Sequence, residues 1–146
     1  MGSRIGRQPK VHLVDSGVAS WLLNVTPAKL AQGDPAALTE YGHLLETFAV
    51  GEILKQVSWW EAPVIAGHFR TSAGNEVDLV LEGDDGQVIA FEVKAGSRIH
   101  GEDVRGIQEL RGKLGQRLAA AIILYTGSYS YVHEGIAVLP LDRLWR

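Results

Sequence analysis

The chain has 146 residues, 46% of them hydrophobic, and a net charge of −3 at pH 7, which fits one globular domain with a core. The acidic balance argues against a protein that coats nucleic acid through bulk electrostatics, so any contact with DNA must come from a local basic patch. The sequence lacks cysteine, which excludes disulfides and thiolate metal sites and suits a reducing cytoplasm, and no apolar run approaches the ~20 residues of a membrane span.

The N-terminal part of the chain predicts short elements that carry no chemistry. No apolar region follows the first four residues, so we expect no signal peptide. The pattern predicts a short strand over Lys10–Val14. Asp15 or Ser16 then caps a short helix with Trp21 and Leu22 on its apolar side.

A longer helix is predicted from about Tyr41 to Val57, because its apolar residues form one broad stripe. Glu46 lies on the flank of that stripe, in a partly buried place for a carboxylate. Burying a charge without a partner is expensive. Taken by itself, Glu46 is therefore more often a residue at the edge of the stripe that reaches solvent.

The next stretch predicts the first strand of the core, at Val64–Arg70. Trp59 and Trp60 precede it. Platforms on which nucleic-acid bases stack normally carry interleaved basic residues, and none are found here. We therefore expect both tryptophans in the core or in an interface.

The stretch Asn75–Ala95, NEVDLVLEGDDGQVIAFEVKA, predicts two strands around a tight turn. Alternation puts Asp78 on one face of the first strand, and Glu92 and Lys94 on one face of the second. The expected apolar face of the first strand comprises Val77, Leu79 and Leu81. If the apolar faces go together into the core, Asp78 must lie near Glu92. That register needs an odd loop, Gly83–Gln87, or a bulge.

A carboxylate opposite a carboxylate destabilises a sheet, so this arrangement makes sense if a divalent cation lies between them. Mg²⁺ takes one or two carboxylates and keeps several waters. A lysine beside it could hold or polarise a water. The alternative is a surface pair of Glu76 and Lys94, worth only ~0.2–1 kcal/mol, with Asp78 solvated.

Basic residues cluster after the hairpin, around a helix predicted from Glu102 or Asp103 to about Arg117. The cluster comprises Arg98, Arg105, Arg111, Lys113 and Arg117. Such residues could bind phosphates. Arg98 and Arg105, closest to the second strand of the hairpin, are the best candidates, whereas the distal members fit a solvated face. The turn residue Arg70 is a weaker candidate for a phosphate contact.

The remaining elements complete an α/β fold. The apolar run Leu118–Tyr125 predicts a strand buried on both faces, and a right-handed crossover makes it parallel to the second hairpin strand. Ser128–His133 is a further strand or a loop, Gly135–Leu139 a last strand and Pro140–Trp145 a short helix. The order is α-β-β-β-α-β with additions at both ends.

Two features of the sequence resemble known families. Asp78, followed by Glu92-Val93-Lys94 on the next strand, resembles the PD-(D/E)xK nuclease core. The longer text, GNEVDLVLE, FEVKAG and ILYTG, resembles DUF4143, a domain of unknown function that follows the ATPase module in a family of prokaryotic AAA-type ATPases. This resemblance covers roughly Val11 to Trp145. A valine stands where the usual proline precedes the motif aspartate, and the chain contains no ATPase.

The resemblance implies one domain over residues 1–146, in which residues 1–40 form an extension that packs on the core. It implies a restriction-endonuclease-like core, a mixed sheet with helices on both faces. The segment GHLLETF matches the family segment whose glutamate is the helix carboxylate of that core, which makes Glu46 a third acidic candidate. Gln108 occupies a position where some relatives carry a helix glutamine near the site.

The implied site holds Mg²⁺ or Mn²⁺ through Asp78, Glu92 and the backbone carbonyl of Val93, with Glu46 binding directly or through water. Lys94 positions or deprotonates the attacking water. The first expected function is therefore a metal-dependent endo- or exodeoxyribonuclease of the cytoplasm.

The second expected function is a catalytically silent module that binds DNA or a partner protein beside an AAA-type ATPase. The intact set of Asp78, Glu92 and Lys94 favours the nuclease, because a pure scaffold has no need for three charges on one sheet face. The sequence leaves the oligomeric state open, with a homodimer among the alternatives.

Overall fold

The computed structural model describes residues 10–146, so the expectation of no signal peptide at the first four residues lies outside the described part. The N-terminal helices are α1 (Ser16–Leu22), α2 (Pro27–Ala31) and α3 (Pro35–Val57). The elements that follow are β1 (Val64–Arg70), β2 (Glu76–Gly83), β3 (Val88–Lys94), α4 (Arg105–Leu114), a 3-10 turn (Gly115–Arg117), β4 (Leu118–Tyr125), β5 (Tyr131–His133), β6 (Ile136–Pro140) and a C-terminal 3-10 helix (Leu141–Trp145). In the described range no helix is long and apolar enough to cross a membrane.

Each of the first three helices begins at a side-chain cap. The side chains of Asp15, Thr26 and Asp34 accept a hydrogen bond from a backbone N–H in the first turn of α1, α2 and α3. The predicted cap of α1 is therefore confirmed. The long helix α3 begins at Pro35 rather than near Tyr41, because Asp34 followed by a proline supplies a complete start signal.

The strand predicted for Lys10–Val14 is wrong, because this segment is irregular. His12 contacts Thr47 of helix α3, with 3.2 Å between Nδ1 and Oγ1. A helix has already used its backbone groups internally and offers no ladder for a strand to join. The segment is therefore attached to α3 through side chains.

Large aromatic residues expected in the interior are exposed. Trp21 of α1 is 79% exposed, and the buried residue of that helix is Ala19. Trp59 is 82% exposed and Trp60 also faces solvent, so of the two expected places, the core or an interface, the core is wrong. Trp21 lies near the end of α1, and Trp59 and Trp60 follow the end of α3, which packs on the sheet through aliphatic side chains.

The sheet has six strands in the order β1-β2-β3-β4-β6-β5. Strands β1, β2 and β3 are antiparallel neighbours, and β3, β4 and β6 are parallel. The predicted parallel pairing of β4 with β3 is confirmed. The predicted α-β-β-β-α-β series corresponds to α3, β1, β2, β3, α4 and β4, and β5 and β6 extend the sheet beyond it.

Helices cover both faces of the sheet, as predicted for this mixed α/β fold. One hydrophobic cluster, the α3 layer, contains Leu45, Ala49, Val50 and Ile53 of α3 and Leu79, Leu81, Val93 and Leu124 of the sheet. The other, the α4 layer, contains Val104, Ile107 and Leu110 at α4 together with Val77, Ala90, Ile123 and Val138 of the sheet. Strand β4 contributes to both layers, which explains its continuous apolar sequence.

Strand β2 contains a bulge at Asp78 and Leu79, which together oppose the single residue His68 of β1. The extra residue shifts the alternation along the strand. Val77 therefore packs in the α4 layer, whereas Leu79 and Leu81 pack in the α3 layer. The prediction that these three residues share one face is wrong for this reason.

Helix α4 approaches the start of β2 more closely than a side chain allows. A β-carbon on Gly106 would collide with the backbone carbonyl of Glu76. We expect Gly106→Ala to lower the free energy of unfolding by about 1–3 kcal/mol, because backbone must move to relieve the collision. Urea denaturation followed by circular dichroism measures the change.

Gly112 of the same helix is the matched control, since a β-carbon there meets nothing within 4 Å. Gly112→Ala is expected to leave stability unchanged or to raise it by about 0.5–1 kcal/mol through helix propensity. Equal effects of the two substitutions would contradict the close contact between α4 and β2.

Candidate functional site

The hairpin has the predicted odd register. Leu79 pairs with Phe91 and Leu81 with Ile89, and the N–H of Gly83 donates to the carbonyl of Gln87 at 3.0 Å. The regular β2–β3 pairing ends at Leu79, and Asp78 is the next residue beyond it. The two strands thus stop pairing where the sequence places its acidic residues.

Asp78 is buried, with 6% of its surface exposed. Its Oδ2 accepts a hydrogen bond from the backbone N–H of Val93 at 2.9 Å. The side chain thus replaces the backbone carbonyl that a paired strand would offer to this N–H. Its Oδ1 accepts from Lys10 Nζ at 2.6 Å. Because Asp78 is buried and accepts two hydrogen bonds, the alternative in which it is merely solvated is wrong.

Glu46 of α3 shares the same lysine. Lys10 Nζ lies 2.7 Å from Glu46 Oε1, so one ammonium group bridges Glu46 and Asp78. Burial would lower the pKa of Lys10, but the neighbouring carboxylates of Asp78 and Glu46 outweigh it and raise that pKa above its ordinary value. Lys10 is therefore a permanent cation at neutral pH.

Glu92 is buried, with 5% of its surface exposed, and only one of its carboxylate oxygens has a partner. Oε1 lies 2.9 Å from Lys94 Nζ, whereas Oε2 makes no hydrogen bond within the described residues. Burial first, and the nearby negative charge of Asp78 second, raise the pKa of Glu92 to about 8. Lys94 opposes this increase without cancelling it.

Lys94 lies between two acidic groups. Its Nζ is 2.9 Å from Glu92 Oε1 and 3.7 Å from Asp103 Oδ1 in the loop before α4. Burial works against its charge, but Glu92, followed by Asp103, raises the pKa of Lys94 above its ordinary value. The ammonium is consequently protonated at neutral pH and can donate hydrogen bonds.

The predicted acids form two ion-paired groups rather than one ring. Asp78 and Glu46 share Lys10, and Glu92 binds Lys94. Residues 10–146 contain no group of three or more His, Cys, Asp or Glu side chains arranged to hold a metal ion. Two observations nevertheless suit a cation here: an ammonium already stands between two carboxylates, and Glu92 has an unpartnered buried oxygen. Carboxylate oxygens are the ligands that Mg²⁺ and Mn²⁺ prefer.

A cavity of about 260 Å³ opens beside Asp78, between α3 and β1. Lys10, His12 and His68 bring nitrogen atoms to its wall, and the rest is mainly aliphatic. His12 Nε2 lies 3.9 Å from Glu46 Oε1. The cavity therefore gives access to Asp78 from the side of β1.

The residues predicted to contact nucleic acid differ in their exposure and in their partners within the protein. Arg98 and Arg105 are exposed, close in sequence to Lys94. Arg70 Nε lies 3.8 Å from Glu76 at the surface. Gln108 donates to Glu134 Oε2 at 2.8 Å, so its amide is engaged at the turn between β5 and β6.

The distal basic residues make contacts within the protein. Arg117 pairs with Glu82 at 2.6 Å, and Lys113 Nζ lies 5.0 Å from the centre of the Phe69 ring. Arg111 donates to the backbone carbonyl of Glu134 at 2.9 Å. These three cations therefore have partners in the fold, and Arg98 and Arg105 remain the exposed candidates nearest to Lys94 in the chain.

Sequence reasoning missed Lys10, His12 and His68. Lys10 lies 68 positions before Asp78, and nothing in the local pattern KVHLVD joins the two. His68 comes to the cavity because the bulge in β2 leaves it opposite Asp78 and Leu79. Only the tertiary fold shows that Lys10 lies beside the buried acid Asp78.

The fold and the site define an α/β protein with a mixed sheet and a buried acidic cluster where two antiparallel strands stop pairing. Residues 41–144 match the model of DUF4143, described as a domain of unknown function, and the chain therefore belongs to that family, as its sequence predicts. Neither the search of curated proteins nor that of solved structures returned a match.

The raised pKa of Glu92 predicts a pH-dependent stability. Below pH 4.5 the carboxyl group is protonated in the folded and the unfolded chain. Between that pH and about 8 only the unfolded chain loses the proton, so the free energy of unfolding falls as pH rises. Glutamine does not titrate, so the Glu92→Gln variant lacks this loss of stability. In chelator, we expect its free energy of unfolding relative to wild type to increase by on the order of 1–4 kcal/mol between pH 5 and pH 8.

Urea denaturation at the two pH values measures this difference. The exposed residue Glu61 supplies the control, and Glu61→Gln should show little dependence on pH. A gain for Glu92→Gln that is the same at pH 5 and pH 8 would show that the carboxyl group does not titrate in this range.

Proposed function

We propose that the protein is a divalent-metal-dependent phosphodiesterase that hydrolyses DNA through a PD-(D/E)xK-type site. The observation that carries this proposal is the pair of buried carboxylates, Asp78 and Glu92, at the diverging ends of β2 and β3 with Lys94 bound to Glu92. The order of elements around them, α3-β1-β2-β3-α4-β4, is the one expected for this type of nuclease core.

Energetics support a functional role for this cluster. Burying a carboxylate is costly unless it is paired and fully hydrogen-bonded. Glu92 has a buried oxygen without a partner within the described residues, and its pKa is raised to about 8. The charged form of this carboxyl group therefore lowers the stability of the fold. Carboxylates whose pKa is strongly perturbed by burial and by a specific charged partner are typical of functional sites.

The donor set suits Mg²⁺ or Mn²⁺. Asp78, Glu46 and Glu92 would hold the ion through carboxylate oxygens, together with the backbone carbonyl of Val93. When bound, such an ion stabilises the negative charge that develops on the phosphoryl group under attack by water.

Lys94 has a role that follows from its own charge. Its ammonium is held between Glu92 and Asp103 and stays protonated, so it acts as a hydrogen-bond donor rather than as a base. In this position it orients the attacking water or a non-bridging phosphate oxygen. Fixing the geometry of the water and the phosphate lowers the entropic part of the barrier.

Arg98 and Arg105 are the proposed contacts to the nucleic-acid backbone. Both are exposed, and they flank the loop that carries Asp103, which places them close to Lys94 in the chain. With a net charge of −3, the protein relies on such local contacts for its affinity. Arg70 is a weaker member of the same set, because it already lies near Glu76.

A second candidate function has its own observation. The ammonium of Lys10 neutralises Asp78 and Glu46 without any metal, which suits a catalytically silent module that binds DNA or a protein. The DUF4143 family is associated with AAA-type ATPases. In this alternative the domain serves such an ATPase as a binding module.

Cleavage assays on plasmid, duplex and single-stranded DNA test the nuclease proposal. We expect Mg²⁺-dependent cleavage by wild type, and a loss of about 10²–10⁴-fold in rate for Lys94→Ala, since the removed ammonium orients reacting groups. Lys55→Ala is the control, because Lys55 is an exposed lysine that pairs with Glu52 on α3.

Equal cleavage by wild type and Lys94→Ala would assign the activity to a contaminant. DNA binding by wild type without cleavage at any Mg²⁺ or Mn²⁺ concentration would favour the silent module.

A further inference from the structure

The place where two of the predicted metal ligands converge is already taken by a positive charge of the protein. Lys10 Nζ lies 2.6 Å from Asp78 Oδ1 and 2.7 Å from Glu46 Oε1. Both distances are those of charge-assisted hydrogen bonds. The two carboxylate oxygens thus point at one cation, as they would at a metal ion.

A metal ion and the Lys10 ammonium cannot both bind these two carboxylate oxygens strongly. Both draw on Asp78 Oδ1 and Glu46 Oε1, and two cations this close repel each other in a partly buried site. Asp78 is also held by the N–H of Val93, so the acid is fixed and the lysine is the partner that can leave.

The segment that carries Lys10 is weakly attached to the rest of the structure. Lys10–Val14 has no regular secondary structure. Val11 and Val14 are exposed, the latter by 98%, so the segment buries little apolar surface. Its other polar contacts are those of His12, whose ring nitrogens lie 3.2 Å from Thr47 Oγ1 and 3.9 Å from Glu46 Oε1. Segments with few buried contacts open at low cost.

We infer that Lys10 is an internal counter-cation that a divalent metal ion displaces, so that metal binding at Asp78 and Glu46 releases the segment Lys10–Val14 from α3. This inference rests on the proposed function, since it concerns the same acidic site. Without metal, the ammonium relieves the repulsion between the two carboxylates. With metal, its departure removes one wall of the cavity that Lys10 and His12 line.

Competition of this kind lowers the apparent affinity for metal by the fraction of molecules in which the site is free. Removing the competing charge should therefore strengthen metal binding, although it removes a favourable contact from the metal-free protein. A lysine that merely stabilised the fold would have no such effect on affinity.

Titration of the full chain with Mn²⁺, followed by calorimetry and by the EPR signal of free Mn²⁺, tests the inference. We expect Lys10→Met to bind Mn²⁺ at least tenfold more tightly than wild type. Lys29→Met is the matched control, because the side chain of Lys29 donates to the backbone carbonyl of Asn24, away from the acids, and its loss should leave the affinity unchanged. Lys10→Arg keeps the charge and should bind no more tightly than wild type.

Limited proteolysis of wild type gives a second readout that does not depend on the folding of a variant. Trypsin cuts after lysine, and a Lys10 side chain held by two acids is a poor substrate. We expect Mn²⁺ to raise the rate of cleavage between Lys10 and Val11 several-fold. Cleavage between Lys29 and Leu30, within α2, should not change.

The outcomes separate this inference from the proposed function. Equal Mn²⁺ affinities for wild type and Lys10→Met, with no change in cleavage after Lys10, would overturn the inference and leave the metal site intact. Folded wild type and folded Lys10→Met that both fail to bind Mn²⁺ would overturn both.

Discussion

The burial of the Asp78 carboxylate is the constraint on which the rest of the site depends. A buried negative charge needs several partners, and Asp78 obtains them from the backbone of Val93 and from the side chain of Lys10. The bulge at Asp78 and Leu79 makes room for this arrangement, because it interrupts the pairing of β2 with β1 where the pairing of β2 with β3 ends. Its charge also raises the pKa of the neighbouring Glu92. The irregularity of the sheet and the raised pKa of Glu92 thus both involve Asp78.

The central elements were predictable because their signals are local. The apolar run Leu118–Tyr125 predicts a strand buried on both faces, and the odd loop Gly83–Gln87 follows from requiring Asp78 near Glu92. The start predicted for α3 near Tyr41 is too late, because the stripe of apolar residues does not mark the cap at Asp34, where the helix begins. The exposed tryptophans show the limit of such reasoning, since hydrophobicity does not indicate which apolar residues the sheet has room to cover.

The site was predictable only in part. A motif and a family resemblance predict Glu46, Asp78, Glu92 and Lys94, and in the structure these residues lie in two ion-paired groups. The contribution of Lys10 could not be inferred, because it depends on an irregular segment that crosses α3 and reaches a distant strand. The position of Val77 in the α4 layer could likewise not be predicted, since regular alternation along a strand does not indicate a bulge.

The position of Lys10 bears on how the domain should be dissected. The family match begins at residue 41, so the segment that supplies this ammonium lies upstream of it. A fragment trimmed to the matched region would keep Glu46 and Asp78 but lose the charge that balances them. Such a fragment would present a more electronegative surface than the whole chain and would attract adventitious cations. Boundaries drawn from sequence similarity and boundaries drawn from charge balance therefore differ in this protein.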